Sequence, residues 1–437
     1  MSKKKSSRWF LSTAAAIVVL VTAYYLSFSW LAHHKEQKTC RAWAATLFDL
    51  QSFPDRFPKN EANETAHLLE ELFRPDGGKL GIQGHNYLPP CNGGWFVADL
   101  DEPTDEIKLL PEEVIQYLER HQSDFAAVYE QVRKAPPQWE SDPESLAAAP
   151  VPNLVQQRAF TSLISLDALN KTRQGKSKEA LSAFEAAWTI TDSLRKRPEM
   201  ISQLIALSID DRQARVLRKM KDVPPEWQKR LLDHHYRKSI QTSFACEAWV
   251  MLEMTKRERD LARVLCGDAG GRSLGKITTA LARPYFRLCG SDVSEAMRRG
   301  VVEIQEHEQE ICGFERDEVN DAARVSLAWW DNVGQRCVPN LSAVTRSAFE
   351  VMLTLEATAK ILEVKHKRSA AVDGLLPQEV IGLESALCRG AHWDYHPSPD
   401  GSFTLTFNHQ VKWLRPEDES EQELLVVRWR ASSPESE

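Results

Sequence analysis

Signatures of catalysis are scarce in this sequence. None of its eight cysteines forms a Cys-x-x-Cys pair, so a zinc knuckle or a thioredoxin-like redox centre has no support. The zinc-protease pattern His-Glu-x-x-His is absent as well. Basic residues are outnumbered, 55 Lys and Arg against 62 Asp and Glu, for a formal net charge of −7. Without a basic field, nucleic acid is not an expected partner. Eight cysteines in 437 residues are too sparse for disulfides to replace a core. They permit bridges in an oxidising compartment, in pairings that sequence does not choose. These absences predict no catalytic residue, no metal and no cofactor, and they lean against an enzyme.

What the chain does have is one long apolar run. Trp9 to Leu31, WFLSTAAAIVVLVTAYYLSFSWL, holds 23 residues without a charge. A helix rising about 1.5 Å per residue would reach about 34 Å over that length, enough to cross the hydrocarbon core of a bilayer. Lys3, Lys4, Lys5 and Arg8 precede it; Lys35, Lys38 and Arg41 follow, diluted by Glu36. That bias favours a cytoplasmic N-terminus. Trp9, Tyr24, Tyr25 and Trp30 sit where amphipathic rings anchor a helix at the membrane interfaces. A cleaved signal peptide fits less well, because its apolar core is shorter and Trp30 stands where a small residue should precede a cut after Ala32. The expectation is an uncleaved single-pass anchor in the cell membrane. Residues 1–8 form a cytoplasmic tail and 9–31 lie in the bilayer. The main domain is extracytoplasmic, periplasmic if the source is a Gram-negative bacterium.

Beyond the anchor the patterning is mainly α, with a small C-terminal antiparallel β-sheet. Residues 32–110 read as a loop-rich juxtamembrane region, with eight Gly and Pro between Gly77 and Gly94. It holds one short helix over 63–73, capped by Asn63, and a strand over 94–98. Residues 111–370 form a helical domain. Pro111 opens a helix running to Lys134, and further helices fit 154–174, 178–195, 199–220, 225–265, 276–288, 293–311, 319–332 and 342–366. Residues 371–431 are β-rich: the turn Ser398-Pro-Asp-Gly401 joins 392–395 to FTLTF at 403–407. Two more strands are expected at 411–414 and 424–429. The acidic run over 416–423 is read as a solvated loop, and 432–437 as a disordered tail.

Residues 156–195 resemble one tetratricopeptide repeat. Ala168, Gly175, Ala180, Phe184 and Ala187 fall at that repeat's small, turn and large positions. Small residues let two helices cross closely, Gly permits the tight turn, and one aromatic fills the gap. The repeat's early aromatic and Tyr positions are Ile164 and Lys171 here, its terminal Pro is Asp192, and no second copy follows at a period near 34 residues. The resemblance implies a helical hairpin of the kind that presents interaction surfaces.

Three carboxylates interrupt apolar stripes and mark a possible polar ligand site: Asp167 in line with Phe160, Leu163 and Ile164, Asp211 after Leu204 and Ser208, and Glu247 between Phe244 and Met251. A buried carboxylate needs a partner or a pocket; Arg158, Arg212 and Arg215 are the nearest structural partners. Glu303, His307 and Glu310 share a helical face and make the most metal-like arrangement, read as a solvated charged face because Glu306 and Glu308 flank it. Gly270-Gly-Arg-Ser-Leu-Gly275-Lys276 imitates a phosphate-binding loop, but Ile277 replaces the magnesium-binding hydroxyl and a helix precedes it. The leading expectation is a membrane-anchored interaction or scaffolding protein that engages the bilayer through residues 9–31 and a protein partner or a second copy of itself. A small-ligand-binding or sensory envelope protein with a site among Asp167, Asp211 and Glu247 stands second, and an envelope enzyme third.

Overall fold

A computed structural model describes residues 3–72, 99–100, 102–148, 151–233, 235–257, 274–307, 310–315, 317–325, 338–371, 375–378, 380, 383–414 and 425–430. The Gly/Pro loop, the strand expected at 94–98, the acidic run over 416–423 and the tail over 432–437 lie outside these residues, as does the side chain of Trp9. The fold is mainly helical with one small antiparallel sheet. Among the described residues one helix, at the N-terminus, is long and apolar enough to cross a membrane.

That helix, α1, runs from Lys3 to Thr46 without interruption, so it passes the end expected at Leu31 and enters the region expected to be loop-rich. The reason is visible in AHHKEQKTCRAWAAT: no Gly or Pro breaks it, and Ala32, Glu36, Cys40 and Trp43 recur at helical spacing. The two halves differ in exposure. Leu20 is 69% exposed and Trp30 likewise, whereas Ala32 and Trp43 are fully buried. The buried half lies along α10 (Leu274–Glu306). Trp43 donates its Nε1–H to the Ser294 hydroxyl at 3.0 Å. Glu36 is held by Arg287 at 2.5 Å and Lys256 at 2.8 Å, and Lys35 pairs with buried Asp292.

After a helical turn at Phe53–Arg56, α2 (Glu64–Leu72) starts on the expected cap, with the Ala66 amide donating to Asn63 Oδ1 at 2.9 Å. The helix expected from Pro111 is divided at His121 into α3 (Glu112–Arg120) and α4 (Gln122–Lys134). Next, α5 (Leu154–Arg173), α6 (Ser177–Arg195) and α7 (Met200–Lys219) pack on one another. Gly175 turns α5 into α6 at φ 72°, a conformation that Gly adopts without a Cβ clash. Ala168, Ala180, Phe184 and Ala187 are all fully buried.

The long helix expected over 225–265 is two, α8 (Glu226–Leu232) and α9 (Tyr236–Lys256), because Asp233 and His235 leave helical geometry. Conversely, the break expected between 288 and 293 does not occur. Gly290 lies inside α10, where a Cβ would come within 3.0 Å of the Thr255 side chain, so this Gly serves a close crossing with α9. Then come α11 (Glu318–Val325) and α12 (Leu341–Ala370), the latter capped by Asn340.

Strands β1 (Trp393–Pro397), β2 (Ser402–Phe407) and β3 (Val426–Arg430) pair antiparallel in that order. Alternate β2 residues Phe403, Leu405 and Phe407 point inward. Residues 411–414, expected as a strand, form a turn that buries Trp413 and places its Nε1–H on the Ile311 carbonyl at 3.0 Å. Cys312 and Cys388 are disulfide-bonded, tying the end of the helical bundle to the segment before the sheet.

Candidate functional site

The three carboxylates singled out by pattern go to three different places. Asp167, on α5, is buried; the Tyr129 hydroxyl donates to it at 2.7 Å and Lys171 Nζ stands 2.6 Å away. Lys171 also sits over the Tyr129 ring, 5.1 Å from its centroid, so this group is closed on itself. Burial, with Asp167 alongside, pushes the Tyr129 hydroxyl well above the usual range. Asp211 is about one-third exposed on α7 and pairs with Arg215 one turn on, at 3.1 Å. Glu247, on α9, accepts from the Met200 amide at 3.4 Å, at the positive end of the α7 dipole. Burial pushes its carboxyl up. Each of the three thus has its own partners: Tyr129 and Lys171, Arg215, and the Met200 amide.

The most deeply buried carboxylate of α7 is Asp210, one position from the expected Asp211. Arg195 Nη1 lies 2.6 Å from it, and the Tyr236 hydroxyl donates to its other oxygen. The Arg195 guanidinium also lies 4.8 Å from the Trp188 ring and 3.3 Å from Asp192. Burial pushes the Asp210 carboxyl up, while Arg195 and Tyr236 pull it down. Arginine does not give up its proton in proteins, so the carboxyl always faces a cation. The signal was present: Asp210 is in step with Leu207, Ala214 and Leu217, all buried. Glu356 on α12 is a second such case. It is fully buried, accepts from Ala386 N at 2.6 Å and Ser385 Oγ at 3.0 Å, and fixes the segment carrying Cys388. Both groups are sealed structural knots.

One cluster is open. Glu303 stands on the last turn of α10, His307 directly follows the helix end, and Glu318 is in the first turn of α11. His307 Nε2 is 3.3 Å from Glu318 and 3.8 Å from Glu303. Burial and the adjacent Glu318 carboxyl push Glu303 up to about 7. The cluster borders a cleft of about 690 Å³ to which Glu315, Asp317 and Asp321 contribute. Phe314 meets the His307 ring edge to face at 5.5 Å and packs in turn on Phe349. Of the expected metal-like trio, then, Glu303 and His307 come together and Glu310 does not. Helix α10 ends at Glu306, which carries Glu310 off the shared face to a position 3.8 Å from His409. Glu318 takes its place, from a different helix.

Gly270 to Ser273 lie outside the described residues, and α10 begins at Leu274. Gly271, Ser273 and Gly275 also have the Gly-x-Ser-x-Gly spacing of a nucleophile elbow, which the expectation of no catalytic signature overlooked. That motif requires a strand before the turn, whereas helical patterning precedes it here. No protein-family model, no curated protein and no solved structure matches the chain.

Proposed function

We propose that this chain is a single-pass membrane protein whose helical domain works outside the cytoplasm as an interaction or scaffolding module. The observation that carries the reading is the two-part exposure of α1. Its apolar half, with Ile17, Val18, Val19, Leu20 and Leu26 exposed, has no protein to cover it, and its lower half is core. Thirteen exposed apolar residues between Ala15 and Leu31 are costly in water and favoured in lipid. Because the helix is continuous, the domain is mounted on the bilayer through a stiff junction, a geometry suited to presenting a surface at fixed height. The Cys312–Cys388 disulfide fits an oxidising compartment and hence a cytoplasmic N-terminus. The α5–α6 hairpin, with its buried small residues and Gly175 turn, supports the likeness to one tetratricopeptide unit. Exposed Val155 and Ile201 begin α5 and α7, helices that run in the same direction, and offer apolar surface at one end of the bundle.

The test is cross-linking in intact membranes, purification through the C-terminus and identification of what accompanies the chain. A stoichiometric protein neighbour is expected, and recovery of the lone protein would overturn the scaffold reading. Protease added outside intact spheroplasts should remove the domain; protection would overturn the orientation.

A further inference from the structure

We propose that Glu303, His307 and Glu318 bind one divalent transition-metal ion, of the Zn²⁺ or Mn²⁺ class, at the joint between α10 and α11. The group differs from an acidic patch in having an imidazole between two carboxylates, one ligand atom from each lying within 4.8 Å of the others. Ligand atoms about 2.0–2.1 Å from a tetrahedral Zn²⁺ lie about 3.3 Å from one another. The separations of His307 Nε2 from Glu318 and Glu303, 3.3 and 3.8 Å, are therefore close to what coordination requires.

The donors are also held in place. The turn between the helices is bridged to Cys388 through Cys312, accepts from the Lys412 amide at 3.0 Å, and receives the Trp413 indole on Ile311. Phe314 fixes the imidazole plane. Among the described residues lining the cleft, Lys412 is the only cation, and it lies 3.8 Å from Glu315 rather than against the cluster. The remaining carboxylates make the cleft a region of negative potential that concentrates cations. One nitrogen and two oxygen donors suit first-row divalent ions; Ca²⁺ and Mg²⁺ prefer all-oxygen sets. Three protein ligands beside a cleft leave a fourth position open to water or to a ligand from a partner. This inference is independent of the scaffold reading.

The experiment uses the full chain in detergent, stripped with chelator and titrated with Zn²⁺, Mn²⁺ and Ca²⁺ by calorimetry. One Zn²⁺ or Mn²⁺ per chain is expected, with His307→Gln and Glu318→Gln each weakening binding by about 100-fold or more, beyond the 10–100-fold typical of outer-shell changes. Glu310→Gln, outside the cleft lining, should leave affinity unchanged. Circular dichroism verifies the fold of each variant, and Glu318→Gln, on a partly exposed first turn, serves if His307→Gln does not fold. X-ray absorption on the Zn²⁺ form should show a nitrogen/oxygen shell with imidazole scattering. No saturable binding, preference for Ca²⁺, a sulfur shell, or equal effects of target and control variants would each overturn the proposal.

Discussion

The knot at Asp210 and the cluster at Glu303 use similar residues in opposite ways. Each places a carboxylate on a helix where water is restricted. Asp210 meets a guanidinium and a phenol, and both donate to it. Glu303 meets a second carboxylate and an imidazole, with negative charge continuing into the cleft. A buried carboxylate surrounded by donors is finished as structure, whereas one surrounded by further acceptors still lacks a cation. The partner, more than the depth of burial, separates scaffold from candidate site. The largest effect should come from breaking the finished knot. Asp210→Ala leaves Arg195, whose side chain is 13% exposed, with Asp192 at 3.3 Å as its remaining carboxylate and the Tyr236 hydroxyl at 3.4 Å. Losing one partner of a buried pair costs about 3–5 kcal/mol, and the residual Asp192 contact places this case near the lower figure. Denaturant unfolding of the detergent-solubilised chain measures it; a loss under about 1 kcal/mol would erase the contrast.

A smaller loss is expected at the second sealed group. Tyr129→Phe removes one donor from Asp167 but leaves Lys171 at 2.6 Å. One hydrogen bond to a charged group contributes about 1.5–3 kcal/mol, and the retained lysine argues for the low end. Asp167→Ala combined with Tyr129→Phe should cost less than the sum of the single changes, because both variants remove the same contact. Additive costs would show that the two side chains do not act as one group.

The sealed groups were more legible in the sequence than the open one, for a physical reason. Helical periodicity lies within one element, so Asp167 among Phe160, Leu163 and Ile164 was readable, and Asp210 would have been had Leu207 and Ala214 set the stripe instead of Leu204 and Ser208. The extent of α5, α6 and α7 followed from the same periodicity and from Gly175. The open cluster depends on where α10 stops. A helix continued to Ile311 aligns Glu303, His307 and Glu310; a helix that stops at Glu306 brings in Glu318 across a turn. That stop is set by tertiary contacts, the Cys312–Cys388 bridge and Trp413, whose partners are distant in sequence. Gly290 taught the same lesson in reverse: a residue that breaks helices locally was required at a crossing with Thr255. Apolar length located α1, but only its packing on α10 shows where the exposed half ends.

Glu36 is an intermediate case, a carboxylate with two cations at the foot of the exposed half of α1. Burial raises its carboxyl, but Lys256 and Arg287 outweigh that and hold it below its ordinary 4.5. A carboxyl depressed in the fold adds stability above its unfolded value and loses it as pH falls through the folded value. Stability of the wild-type chain should therefore drop on acidification below about pH 4.5, and Glu36→Gln should flatten that part of the curve. Urea midpoints taken between pH 6 and pH 3 test it. A Glu36→Gln curve parallel to wild type would assign the acid loss to other carboxylates, such as Asp192, which Lys196 and Arg195 also depress, and Glu295, which Arg298 and Arg299 depress.

The smallest change, and the one of opposite sign, should come from the open cluster. In chelator-treated protein, Glu318→Gln removes a like charge from beside Glu303 and replaces it with a group that donates as well as accepts. It is expected to leave stability unchanged or to raise it by a few tenths of a kcal/mol, the size of other like-charge pairs at a partly exposed surface. Saturating Zn²⁺ should reverse that sign. An ion that binds only the folded chain stabilises it by RT ln(1 + [L]/Kd), about 2.7 kcal/mol at a hundredfold excess over Kd, and the variant forgoes that gain. Melting curves with and without Zn²⁺ for wild type and variant form a closed cycle. A variant that is less stable by the same amount in both conditions would make Glu318 a structural partner of His307, as finished as Asp210 is with Arg195.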